Sequence, residues 1–123
     1  MAAEPEAMET IAYTRFVLDH GLAGDLLDLH VALAPCVLGY AEIGEQLSRV
    51  PATPDHPYAA WIAAYAGDDY RTMARTAIDT LNRLFAQRGS EARYRQLAAT
   101  FLAATRLETA FWDMGWQAAA SVP

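Results

Sequence analysis

The sequence has little or none of several features that would point to common classes of protein. Cys36 is its one cysteine in 123 residues, so an internal disulfide is impossible and an oxidising compartment is not implied. Lysine is absent: all nine basic residues are arginines, interspersed with acids from Arg71 to Arg106, and the net charge is −6. Because nucleic-acid binding needs clustered basic residues, we expect no nucleic-acid partner and interpret the arginines as solvated helix faces.

Long apolar runs and a secretion signal are also missing. The first nine residues hold three glutamates and no basic residue, which is unlike a signal peptide. No unbroken apolar run approaches the roughly 20 residues of a membrane span. We therefore expect a cytoplasmic protein without a membrane partner. The hydrophobic share is 54%, much of it alanine, which favours a folded and helical chain.

Familiar catalytic motifs are absent as well. The sequence has no glycine-rich phosphate loop and no serine in a nucleophile-elbow context. The three histidines, His20, His30 and His56, have no spacing that places two ligands and a carboxylate on one helix face. We therefore predict no metal site.

Apolar residues instead recur at helical spacing, with no alternating β-branched run. A flexible lead-in of residues 1–9 is expected, followed by a first helix with Thr10 as N-cap and Gly21 as its end. Asp25 is the predicted cap of the second helix and Ser90 that of the last.

Two further helices are predicted between these. A proline-rich loop at residues 50–57, with Asp55 as a possible cap, leads to a short helix ending near Gly67. Asp68 is the predicted cap of a fourth helix that ends at Gly89. The pattern indicates an all-α fold of five helices packed as a bundle.

The strongest periodicity lies in the second predicted helix, whose apolar positions follow steps of three and four. These positions are Leu26, Leu29, Leu33, Cys36, Tyr40, Ile43 and Leu47. We expect this stripe to be buried, with Cys36 and Tyr40 on one face. Pro35 lies inside the helix and is expected to kink it just before the thiol.

Two residues on apolar stripes carry chemistry. Cys36 is either an inert core thiol or a reactive one. Glu108 lies on the stripe of the last helix, and a buried glutamate needs a partner. It is either ion-paired with Arg71 or Arg75, or it is a carboxyl group placed for proton transfer.

Several aromatic residues are either core or the walls of a pocket for a flat heterocycle. They are Tyr13, Trp61, Tyr65, Phe111 and Trp112. The residues by themselves thus indicate a helical bundle with a pocket that combines a thiol, phenols and a carboxyl group.

Three segments, in this order, resemble the TenA family (thiaminase II, aminopyrimidine aminohydrolase). They are LAPCVLGYAEIG at 33–44, WIAAYA at 61–66 and TRLETAFWDM at 105–114. The resemblance implies the haem-oxygenase-like helical fold, with residues 10–123 as the C-terminal half of the family's domain. It also implies a homo-oligomer, and a hydrolase that needs no metal or organic cofactor.

The resemblance further implies a reaction and roles for five residues. Members hydrolyse an aminomethyl-pyrimidine to hydroxymethyl-pyrimidine in thiamin salvage. Cys36 would be the nucleophile and Glu108 the general acid/base. Tyr40 would hydrogen-bond near the thiol, while Tyr13 and Tyr65 would line the substrate pocket.

The sequence departs from the family in length. A family member is about twice as long, and its N-terminal half supplies an aspartate and a stacking aromatic residue that have no counterpart here. The missing helices should leave an apolar face uncovered. The chain is a fragment of an enzyme, one half of a split enzyme, or a truncated relative that binds a ligand or partner without catalysis. A separate alternative, which concerns function rather than length, is the related oxidase branch that makes a quinone cofactor.

Overall fold

Five α-helices make up the part of the chain that the structure describes. A computed structural model describes residues 5–51, 53 and 55–121. The helices are α1 (Met8–Ala23), α2 (Leu26–Ser48), α3 (Ala59–Ala66), α4 (Asp68–Arg88) and α5 (Glu91–Ala120). No β-strand occurs among the described residues, and the predicted all-α class is confirmed.

Two of the predicted N-caps are confirmed. The Asp25 carboxylate accepts hydrogen bonds from the backbone N–H groups of Leu27 and Asp28, and the Asp28 carboxylate accepts from Asp25 N–H, which completes a capping box. Ser90 Oγ accepts a hydrogen bond of 3.1 Å from Arg93 N–H at the start of α5. These side chains set where α2 and α5 begin.

The first helix is longer than predicted at both ends. It begins at Met8 rather than after Thr10, so part of the predicted flexible lead-in is helical, and residues 1–4 of that lead-in lie outside the described residues. It also continues through Gly21 to Ala23. The bare backbone of Gly21 faces Leu29, since a Cβ there would lie 2.9 Å from Leu29 Cδ1. Gly21 is an interior helical residue rather than a helix stop, and its close neighbour is the flexible tip of a side chain.

Other predicted ends shift by a few residues. The N-cap of α3 is Tyr58 rather than Asp55, and that of α4 is Gly67, so Asp68 occupies the first helical position instead. An acidic side chain there still favours the positive end of the helix dipole. Helix α4 ends before Gly89, as predicted.

The central element is α2, which packs against all four other helices. Its buried Leu27 meets Leu84 of α4 and Leu97 of α5 in the core, flanked by Val31 and Leu81. By length and by a mean hydropathy of 1.5, α2 could also cross a membrane. Although the other four helices all contact α2, 22% of that apolar stretch is buried, so much of its apolar surface stays uncovered.

The predicted stripe of α2 is not buried along its length, which corrects that expectation. Leu26, Leu33, Ile43 and Leu47 are each between 39% and 48% exposed. The buried positions of α2 carry mostly small residues, among them Ala32, Ala34, Pro35 and Gly44. Small residues let neighbouring helices approach α2 closely, while the larger apolar side chains remain on the uncovered face that the resemblance implied.

Candidate active site

Glu108 of α5 receives two hydrogen bonds on one carboxylate oxygen. The Tyr40 hydroxyl, from the middle of α2, donates to Glu108 Oε1 across 68 residues of sequence. Trp112, one helical turn beyond Glu108, donates its indole Nε1–H to the same oxygen at 3.2 Å and to Tyr40 Oη at 3.3 Å. The three polar groups form a closed triangle between α2 and α5.

This geometry contradicts the interpretation of Glu108 as an ion-pair partner of Arg71 or Arg75. Arg71 donates to Asp68 instead, and Arg75 donates to Thr72. Both arginines bond within α4, because helical spacing puts a partner three residues away. The carboxylate of Glu108 is therefore held by neutral donors.

Two buried polar atoms beside this triangle have no hydrogen-bond partner among the described residues. They are Glu108 Oε2 and the hydroxyl oxygen of Tyr13, which α1 supplies. Burial raises the pKa of the Tyr13 phenol far above its usual range, and the nearby Glu108 raises it further. The two groups are close enough to influence each other, yet they do not meet hydrogen-bond geometry in the structure. A buried polar atom without a partner is unfavourable, and Glu108 lies near enough that hydrogen bonding to it adds to the Tyr13 pKa shift, so a small side-chain movement would pair the two groups.

Cys36 lies half-buried on the same side of α2 as Tyr40. Burial raises the pKa of its thiol, and the negative charge of Glu108 raises it further. The thiol is therefore protonated at neutral pH and becomes a nucleophile only if a neighbouring base takes its proton. Glu108, with one free oxygen, is a base in that neighbourhood.

Aromatic rings surround Tyr40. The ring of Tyr65 lies edge-on to it at 5.2 Å between centroids, and those of Trp61 and Trp112 at 6.0 Å. Tyr70 of α4 packs against Tyr65 at 4.6 Å and donates its hydroxyl to the Val37 carbonyl. Burial raises the pKa of Tyr40 as well, and the hydrogen bond to Glu108 adds to this shift, so both phenols near the carboxylate are neutral donors.

The structure thus brings together all five residues that the sequence singled out, from four helices. Tyr13 comes from α1, Cys36 and Tyr40 from α2, Tyr65 from α3 and Glu108 from α5. Tyr13, Cys36 and Tyr40 are close enough to Glu108 for its charge to affect them, and Tyr65 packs on Tyr40. Their roles in a reaction stay predictions.

Two residues of this cluster were missed or undervalued. Trp112 was taken only as core or pocket wall, although its spacing of four residues from Glu108 puts both on one face of α5. No local signal in the sequence links Tyr70 of α4 to this cluster, because its partners Tyr65 and Val37 lie on other helices.

An apolar groove lies on the outer side of this cluster. It has a volume of about 360 Å³ and runs between the end of α2, the following loop, α3 and α5. Trp112, one corner of the triangle, lines this groove together with Trp61, whereas Tyr40, Cys36 and Glu108 do not line it. Within the described residues no group of three or more histidine, cysteine or acidic side chains could hold a metal ion.

Comparison with known proteins places the chain in a family. The sequence model of the TENA/THI-4/PQQC family matches residues 1–118, so the chain belongs to this family. An aminopyrimidine aminohydrolase of Halalkalibacterium halodurans is 40% identical over 116 residues, which cover 94% of this chain and 51% of that relative. An uncharacterized protein of Haemophilus influenzae is 37% identical over 111 residues, covering 89% of this chain and 51% of the relative.

A solved structure confirms the fold. The crystal structure of a TenA family transcription regulator from Silicibacter sp. TM1040 is 45% identical and superposes with a TM-score of 0.84. The match covers 92% of this chain and 52% of that one. The haem-oxygenase-like helical fold expected from the sequence is confirmed, and the chain spans about half the length of the relatives it matches.

Proposed function

We propose that this chain carries the Cys36–Glu108 part of an aminopyrimidine aminohydrolase site, which hydrolyses aminomethyl-pyrimidine to hydroxymethyl-pyrimidine and ammonia. The observation that carries the proposal is that Glu108 and Tyr13 meet beside a protonated thiol, with Glu108 Oε2 and Tyr13 Oη buried and outside hydrogen-bond geometry to any described residue. A carboxylate oxygen accepts from an amino group, and a phenol donates to a ring nitrogen or an amine. An aminopyrimidine carries both kinds of group, an amino group that donates and ring nitrogens that accept.

The proposed reaction uses the groups as they are arranged. Cys36 Sγ adds to the electron-poor ring while Glu108 takes the thiol proton. The exocyclic C–N bond then breaks, and Glu108 returns that proton to the leaving amine, which departs as ammonia. Water adds at the exocyclic carbon, and its second proton passes through Glu108 back to the sulfur as the C–S bond breaks. The ring regains aromaticity and every proton is accounted for.

The roles of Tyr40 and Tyr65 are assigned from the contacts that these side chains already make. Tyr40 is already committed to Glu108 Oε1, so it orients the carboxylate rather than the substrate. Tyr65, whose ring lies 4.5 Å from that of Trp61 and is tilted by 36° to it, supports the aromatic wall against which a flat ring packs. Among the described residues, Glu108 is the carboxylate that acts on Tyr13, Cys36 and Tyr40, which fits the expectation that further binding groups come from another half.

We further propose that a second half of the family domain completes the site and covers the exposed apolar face. The basis is length, because the relatives are about twice as long as this chain. A second groove of about 360 Å³, between α4 and α5 over α2, is lined by Phe85, Tyr94 and Phe101, which are all exposed. Assembly as a homo-oligomer in the cytoplasm stays a prediction.

The decisive experiment measures release of hydroxymethyl-pyrimidine and ammonia from aminomethyl-pyrimidine. The chain is assayed alone and mixed with the half of the Halalkalibacterium halodurans relative that it does not match. We expect turnover in the mixture, and a fall of about 10²–10⁴-fold for Cys36→Ala and for Glu108→Gln. Glu91→Gln, at an exposed position of the same helix, is the matched control and should keep full activity.

Other outcomes separate the alternatives. Folded protein that shows no turnover, both alone and in the mixture, would contradict the hydrolase proposal. Thermal stabilisation by the pyrimidine without turnover would instead support a non-catalytic ligand-binding module. A mild effect of Glu108→Gln would contradict its role in proton transfer.

A further inference from the structure

Trp112 donates a hydrogen bond to both ends of the Tyr40–Glu108 hydrogen bond. Its indole N–H lies 3.2 Å from Glu108 Oε1 and 3.3 Å from Tyr40 Oη, so one donor is shared between two acceptors. Its ring stands nearly perpendicular to those of Tyr40 and Trp61, at 84° and 86°. Although Trp112 is 44% exposed, its polar edge points inward and its apolar edge lines the outer groove.

This arrangement makes the two oxygens of Glu108 unequal. Oε1 receives both the Tyr40 hydroxyl and the Trp112 indole, whereas Oε2 is buried with no partner among the described residues. A carboxylate with both donors on one oxygen cannot rotate without breaking two hydrogen bonds. Its free oxygen therefore keeps one direction.

Titratable groups from every packed helix face this carboxylate. The negative charge of Glu108 raises the pKa of four groups, which are Tyr13 of α1, Cys36 and Tyr40 of α2, and Tyr70 of α4. Tyr65 of α3 packs on Tyr40. No arginine donates to the carboxylate within the described residues. A small rotation of Glu108 would therefore change the environment of the thiol without compensation from a nearby cation.

We propose that Trp112 is a positioning residue for Glu108, whose shared indole N–H holds Oε1 in place and thereby leaves Oε2 as the oxygen that exchanges protons. This inference rests on the proposed function for its catalytic consequence. The structural part of the inference, that Trp112 holds the Glu108 carboxylate in place, can be tested in a protein that shows no turnover. The ring itself is needed only as a wall, and a phenyl group can supply that wall.

The first test separates the N–H from the ring. In the active assembly, Trp112→Phe keeps an aromatic wall but removes the donor. We expect kcat to fall about tenfold with KM nearly unchanged, because a hydrogen bond to a charged group is lost from the reacting carboxylate rather than from the substrate. The pH profile of kcat should also shift. Trp116→Phe, at a position 74% exposed on the same helix, should change neither.

The second test needs no turnover and uses the chain alone. Cys36 is its one cysteine, so the rate of alkylation by iodoacetamide against pH reports on a single thiol. Glu108→Gln removes the charge that raises the thiol pKa and should move the profile to lower pH. Trp112→Phe frees the carboxylate to turn away and should move the profile in the same direction by a smaller amount. Trp116→Phe should leave it in place.

The outcomes distinguish the two proposals. If Trp112→Phe keeps the wild-type kcat and alkylation profile while Glu108→Gln changes both, the positioning role is wrong and the hydrolase proposal stands. If the wild-type assembly shows no turnover, the hydrolase proposal is wrong and the alkylation profiles decide alone. An unshifted profile in Trp112→Phe then overturns the positioning role, and a smaller shift in the same direction as that of Glu108→Gln supports it.

Discussion

Among single residues, two glycines of α2 differ in how much space surrounds them. Around Gly39 there is open space, since a Cβ there would meet nothing within 4 Å. At Gly44 a Cβ would lie 2.8 Å from both the carbonyl carbon and the Cβ of Tyr65. Gly44 thus permits the close approach of α2 and α3 that brings Tyr65 against Tyr40.

The two glycines supply a matched pair of substitutions. Gly44→Ala should destabilise the chain by about 1–3 kcal/mol, because the methyl group has no room against the α3 backbone. Gly39→Ala should stabilise it by about 0.5–1 kcal/mol, since alanine is the better helix former and the site is open. Urea denaturation followed by circular dichroism measures both. Equal effects of the two substitutions would show that α3 does not pack where the structure places it.

At the scale of elements, three helix ends meet at one arginine. Arg93 of α5 donates through both terminal nitrogens to the Asp25 carboxylate at 3.0 Å, and also to Asp28 Oδ2 at 2.9 Å. It donates as well to the Arg88 carbonyl at the end of α4. The expectation that the arginines are only solvated faces is wrong for Arg93, because its partners are the capping residues of another helix.

The hydrogen bond from Arg93 holds the pKa of Asp25 well below its ordinary value of 3.8. A carboxylate with a lowered folded pKa stabilises the fold fully above its unfolded pKa, and that stability is lost as the pH falls below it. Arg93→Ala should therefore lower the free energy of unfolding by about 1–2 kcal/mol at pH 7. The difference from the wild type should shrink below about pH 3.8.

Arg95→Ala, at an exposed position of the same helix, is the control and should stay within about 0.5 kcal/mol of the wild type. Unfolding curves at a series of pH values measure both. A destabilisation by Arg93→Ala that is constant across this range would contradict the ion pair as its source.

At the scale of the whole molecule, the exposed apolar surface is the dominant feature. Large apolar side chains are exposed on all four long helices, for example Leu22, Leu33, Ile78 and Phe101. A chain that exposes so much apolar surface is expected to pack against a partner or to self-associate.

This surface leads to a prediction for the assembled domain. Adding the other half of the Halalkalibacterium halodurans relative should raise the melting temperature and lower the fluorescence of a bound hydrophobic dye. Phe101→Glu should abolish both changes, because it places a charge in the groove between α4 and α5. Gln96→Glu, which adds a charge at an exposed polar position of α5, should leave them intact. A Phe101→Glu chain that responds like the wild type would show that the second half packs elsewhere.

The helices and most of the chemistry of the candidate site could be predicted from the order of the residues alone. Periodicity and capping residues such as Asp25 and Ser90 are local, so the all-α class and several helix ends follow from residues three or four apart. The segments around Cys36 and Glu108 carried the family resemblance, and both residues lie in the cluster described above.

Only the tertiary structure decided which side of each helix is covered and which partners the buried groups have. Glu108 turned from a possible ion-pair partner of Arg71 or Arg75 into an acceptor from Tyr40 and Trp112, because the packing of α5 against α2 brings these side chains together. The α2 stripe is half-exposed for the same reason, since burial depends on what lies opposite a residue and not on its spacing along the chain. The hydrogen bonds from Tyr40 to Glu108 and from Arg93 to Asp25 each join residues that are 68 apart in the sequence, so no local pattern predicts them.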